Sequence, residues 1–93
     1  MTKTELKKMQ IKKVVEFLID KFEAQIDDAD GGRFDITIGD FQGQMDRRDL
    51  FVEFWDSIPL HGDGFSPAEV LRWVESMKFE KKINDEIQKL ING

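Results

Sequence analysis

The spacing of apolar side chains changes at residue 33, and that change points away from an all-helical chain and from an all-strand one. Before it, Ile11, Val15, Leu18, Phe22 and Ile26 recur at intervals of three and four, flanked by Val14 and Ile19. This is one apolar face of a helix, uninterrupted by glycine or proline, and it predicts a helix over residues 4–27. Thr4 is the expected N-cap. Asp30-Gly31-Gly32 is the expected stop, because glycine accepts the left-handed conformation that closes a helix. After the change, Phe34, Ile36 and Ile38 alternate with Arg33, Asp35 and Thr37, the period of a half-buried strand. Gly39-Asp40 fits a two-residue turn with glycine first. Residues 41–45 are the candidate return strand, a weak one because Gly43 adds no packing. A lone hairpin is marginal in water, so it must lie on the helices or on another chain.

Beyond the hairpin the helical period returns. Asp46 is the expected cap of a second helix whose apolar face is Leu50, Phe51, Phe54, Trp55 and Ile58, and which stops at Pro59. Leu60-His61-Gly62-Asp63-Gly64 is a turn-rich loop. Ser66-Pro67-Ala68-Glu69 is the sharpest local signal: serine caps, proline takes the first helical position, and Glu69 completes a capping box. The last helix carries two stripes. Val70, Leu71, Trp73, Val74 and Met77 lie on one side; Phe79, Ile83, Ile87, Leu90 and Ile91 lie roughly 140° around it. Either the helix breaks near residue 78, or one continuous helix shows two faces to two partners. The expected fold is α+β, mostly helical, in the order α-β-β-α-α. Ninety-three residues cannot supply two cores, so residues 1–93 are read as a single domain.

Composition mainly removes function classes. There is no cysteine, hence no disulfide framework, thiolate site or thiol nucleophile. One histidine leaves little material for zinc or a histidine-based triad. The net charge of −5 disfavours direct nucleic-acid binding and anionic membranes. No segment has the pattern of a secretory signal or the ~18 apolar residues of a membrane span, so a cytoplasmic location is expected. No phosphate-binding glycine loop is present, and no cofactor is implied.

Charge is unevenly distributed. Residues 27–49 hold seven Asp against three Arg, whereas residues 1–26 hold six Lys against four acids. The acidic segment invites a calcium reading, but neither the frame from Asp27 nor that from Asp28 keeps both the early ligands and the glycine of a helix–loop–helix calcium site. Two readings stand for Asp27, Asp28, Asp30, Asp35 and Asp40: aspartates serving turns and helix ends, or an acidic surface for a basic partner. Such a surface can occupy the site of a nucleic-acid-binding protein by electrostatic complementarity. The stripe Phe79, Ile83, Ile87 and Leu90 likewise packs on the first helix or forms a self-association or partner surface. The lysines at the start of the first helix form a solvated face or dock an acidic surface. Arg47 and Arg48 are expected to pair with the flanking Asp46 and Asp49. Trp55 and Trp73 read as core anchors. His61 reads as an exposed loop residue, with Asp63 its nearest carboxylate for acid–base work. The loop between the second and third helices is too long for a helix-turn-helix.

The sequence therefore favours a non-enzymatic, acidic protein-interaction module: an inhibitor, immunity-type protein or adaptor. The alternative is a small homodimeric structural or accessory protein of a phage or mobile element. A carboxylate-based enzyme is the remote alternative.

Overall fold

The computed structural model describes residues 2–29, 31–57 and 64–92. Helix α1 (Lys3–Phe22) leads into strands β1 (Gln25–Ala29), β2 (Arg33–Ile38), β3 (Phe41–Asp46) and β4 (Val52–Phe54). A 3-10 turn at Trp55–Ser57 precedes helix α2 (Pro67–Asn92). The strands form one antiparallel sheet in the order β1-β2-β3-β4. The class is α+β, but the order is α-β-β-β-β-α, with two strands where the sequence reading had helix.

Both errors have a local cause. α1 starts from Thr2, whose Oγ1 accepts the Glu5 N–H at 3.1 Å, rather than from Thr4. It ends at Phe22 because Glu23 adopts the left-handed conformation (φ 55°, ψ 38°), and its N–H caps the Ile19 and Leu18 carbonyls. Glutamate is not the residue that signals such a stop, and the apolar spacing in the sequence runs on to Ile26. Ile26, Asp27 and Asp28 belong to β1 instead, and Gly31-Gly32 serves the connection to β2. The β2–β3 hairpin matches its sequence signal: Ile38 pairs with Phe41 around Gly39, which has φ +58°.

Asp46 makes a turn rather than a helix start. Its Oδ1 accepts the Arg48 N–H at 2.7 Å, and its carbonyl accepts the Leu50 N–H at 2.9 Å. Leu50 then takes φ +53°, which reverses the chain into β4. That conformation costs roughly 1–2 kcal/mol. Fully burying a leucine side chain contributes about 1.5–3 kcal/mol, enough to hold it. Leu50, Val52 and Phe54 are buried while Phe51 and Trp55 are exposed, a period of two. Ile58, His61 and Asp63 lie outside the described residues.

α2 is continuous through residue 78. Ser66 Oγ accepts the Glu69 N–H at 3.2 Å, as its cap signal implies. Its two stripes meet different surroundings. Ile83 and Ile87 join Val14 and Leu18 of α1 over Phe34, Ile36, Met45, Val52 and Phe54 in the core. In the earlier stripe Trp73 and Val74 are half-buried, while Val70, Leu71 and Met77 are exposed and do not belong to the core.

Between the stripes runs a polar row, Ser76, Glu80 and Asn84, that secures β4. Asn84 Oδ1 accepts the Val52 N–H at 2.8 Å, and its Nδ2 donates to the Val52 carbonyl at 2.9 Å. Glu80 Oε1 accepts the Phe54 N–H at 2.8 Å. Ser76 and Ser57 share a hydroxyl hydrogen bond at 2.7 Å. An edge strand normally leaves such backbone groups unpaired; here the helix pairs them. On the other side β4 lies tight against β3. A Cβ on Gly43 would fall on the Glu53 carbonyl oxygen and 2.7 Å from Phe54 Cα. Gly43 therefore admits β4 rather than merely weakening β3.

Two substitutions test this seam by urea denaturation. Asn84→Leu leaves two buried backbone groups of Val52 unpaired and is expected to cost about 1–3 kcal/mol for each. Gly43→Ala forces two backbones apart and is expected to cost about 1–3 kcal/mol.

Candidate functional site

Alternation along the strands leaves one face of the sheet without a helix. Register sets Asp27 opposite Asp35, Asp35 opposite Gln44, and Gln44 opposite Glu53. One row of side chains thus crosses all four strands on the side away from Ile36 and Phe54. Asp27, Asp35 and Glu53 are exposed and Gln44 is half-buried. Like charges directly opposite on a sheet destabilise it, so the Asp27–Asp35 pair does not serve the fold. Arg33 brings one cation to the row, its Nη1 donating to Gln44 Oε1 at 3.4 Å. A shallow depression beside it is lined by Arg33, Gln44, Asp46, Asp49, Phe51 and Glu53. Phe51 is about half exposed there, and Trp55 is exposed just beyond β4. The Asp46 carboxyl is held below its ordinary range, chiefly by the Arg48 backbone N–H; desolvation opposes this, and the Arg48 and Arg33 charges add to the lowering.

Charge is segregated along the chain. Residues 25–57, which include the sheet, carry nine acids against three Arg, whereas α1 carries six Lys against three acids.

Of the five aspartates singled out from the sequence, the four among the described residues do not form one surface. Asp27 and Asp35 stand together on the open face. Asp28 pairs with Phe34 in the register and therefore faces the helix side, where it forms an ion pair with Arg47. The Arg47 guanidinium lies 4.5 Å from the Phe34 ring centroid. Arg47 thus reaches across to β1, while Arg48 keeps the expected local partner, Asp46, at 3.6 Å. Asp40 sits in the β2–β3 turn, and its carbonyl accepts Arg72 Nη2 at 2.6 Å. Asp30 lies outside the described residues.

The late apolar stripe lies within the chain's own core. Ile83 and Ile87 are fully buried, Phe79 and Leu90 are partly buried against them, and Phe79 stacks on Phe54 at 5.7 Å between centroids. Of the two tryptophans read as core anchors, Trp55 is exposed and Trp73 half-buried.

Sequence reasoning missed Glu53 and Phe51 as members of the open face, because it placed both on a helix. The usable signal was the alternation of Leu50, Val52 and Phe54 with Phe51, Glu53 and Trp55.

A second concave region opens where α1 passes into β1 and β2 turns into β3. It is a cleft of ≈590 Å³ with Phe22, Ile38, Phe41 and Phe79 among its lining residues and the acids Glu23 and Asp40 beside them.

Among the described residues, no group of three or more His, Asp or Glu side chains could hold a metal ion. No helix among them is long and apolar enough to cross a membrane. No protein-family model matches the chain, and no curated protein or solved structure is significantly similar to it.

Glu23 occupies a backbone conformation that costs a side-chain-bearing residue roughly 1–2 kcal/mol. Glycine would avoid that cost but lose about 0.5–1 kcal/mol through unfolded-chain entropy. Glu23→Gly is therefore expected to stabilise the fold by about 0.5–1 kcal/mol, read as a higher urea midpoint at unchanged m-value.

Proposed function

We propose that this chain is a non-enzymatic interaction module whose open sheet face binds a basic surface on a protein partner. The observation that carries the reading is the uncovered row Asp27, Asp35 and Glu53, with Phe51 beside it. Three carboxylates with one nearby arginine set up a negative field that steers a cationic surface into register. Half-exposed aromatics supply the apolar contact that charge alone does not, since interface hot spots are enriched in such residues. The opposed Asp27–Asp35 pair supports the same reading: it costs stability in the free chain, and a bound cation would relieve it. A partner with a groove built for phosphates suits this face, because carboxylates at strand spacing offer it anionic oxygens. In that case the module acts as an inhibitor or as an adaptor.

A homodimer built on Phe79, Ile83, Ile87 and Leu90 is less favoured, since Ile83 and Ile87 would have to leave the core.

The test uses the neutralised variant Asp27→Asn, Asp35→Asn, Glu53→Gln. A partner captured from the producing cells by the unaltered chain is purified, and its Kd is measured for both proteins across a salt series. The variant is expected to be as stable as the parent or more so, to bind at least about tenfold more weakly at low salt, and to show a flatter salt dependence. Equal affinity at low salt overturns the reading.

A further inference from the structure

We infer that the cleft at the α1–β1 end of the sheet is a binding site for a small organic cation with an apolar body, of the quaternary ammonium class. Its volume of ≈590 Å³ lies within the range of sites that hold small molecules, roughly 300–1,000 Å³. Its lining includes a connected run of aromatic rings. Phe22 and Phe79 lie 5.8 Å apart between centroids, and Phe79 and Phe41 lie 5.5 Å apart. Ring faces carry the negative end of the aromatic quadrupole and attract a cation that sheds its water readily.

Two of these rings already carry a cation of the chain itself. The Arg72 guanidinium sits 4.2 Å from the Phe41 centroid, and Lys21 Nζ sits 5.9 Å from that of Phe22. Both cations have other anchors: Arg72 holds Asp56 at 2.9 Å and the Asp40 carbonyl, and Lys21 holds Glu86 at 2.6 Å. The carboxylates of Glu23 and Asp40 have no ion-pair partner among the described residues. The cleft thus combines two free negative charges with an aromatic lining. No group of three or more His, Asp or Glu side chains that could hold a metal ion occurs at the cleft or elsewhere among the described residues. An alkylated ammonium uses both features at once: its charge meets the carboxylates and its methyl groups meet the rings.

The cleft contains none of Asp27, Asp35, Gln44 and Glu53, although Gln25 and Thr37 of its lining pair two residues along the strands from Asp27 and Asp35. The test is a titration of the full ¹⁵N-labelled chain with benzyltrimethylammonium, using benzyl alcohol as the neutral comparator. The cation is expected to produce saturable shifts at the Thr37 and Gly39 amides, with none at Glu53, and the alcohol to bind at least fivefold more weakly. Glu23→Gly with Asp40→Asn is expected to keep the fold and weaken the cation at least fivefold, and Asp40→Asn alone at least twofold. The inference is overturned by any of four results: no saturable shift at millimolar cation, equal binding of the alcohol, shifts centred on Glu53, or unchanged affinity in the double variant.

Discussion

The two-way hydrogen bond between Asn84 and the backbone of Val52 is the contact on which the arrangement of this fold turns. β4 has only three residues and one neighbouring strand, too little to hold itself in place. The amide of Asn84 presents a donor and an acceptor at the spacing of a missing strand, and Glu80, one helical turn away, takes the next N–H. That seam fixes the position of α2 along the sheet, which sets Ile83 and Ile87 over the core and Phe79 on Phe54. It is buried, so breaking it leaves polar groups without water. Polar groups thus do the positioning, and the apolar stripe supplies the burial.

What the sequence disclosed, and what it hid, follows from how each element is encoded. The β2–β3 hairpin was legible because its signals are local: alternation over six residues and a glycine at the turn. The start of α2 was legible for the same reason, since serine, proline and glutamate fall in order. β1 and β4 were hidden because each follows a left-handed residue that is not glycine, Glu23 and Leu50. The first is held by helix-capping hydrogen bonds and the second by burial of its side chain, and neither cause shows in the spacing of apolar residues. The seam was hidden more deeply, because a row of Ser76, Glu80 and Asn84 reads as solvated helix surface until the strand beneath it is known. The candidate face is half legible: Asp35 lies in a strand marked by alternation, but the apolar spacing puts Asp27 and Glu53 on helices, which hides their alignment.

The two layers divide the chain's work. The helices and the inner sheet face supply the core, with aromatic rings linked from Phe17 through Phe22 and Phe79 to Phe41 and Phe54. The outer face adds little to that core, and its facing carboxylates oppose folding slightly. Segregation of charge follows: six lysines lie on α1 and most excess acid lies in the strand segment.

Capping β4 with a helix also makes the sheet one-sided in a second sense. Growth of a sheet by addition of further chains needs an open edge on each member to receive the next. Here one edge is sealed by Asn84 and Glu80, and the other, β1, carries Asp27 and Asp28. A natively folded copy that joined another through β1 would present its sealed edge outward and end the series at two. The three-residue strand and its helical cover thus act as a chain terminator, limiting edge-to-edge assembly of the folded protein to a pair.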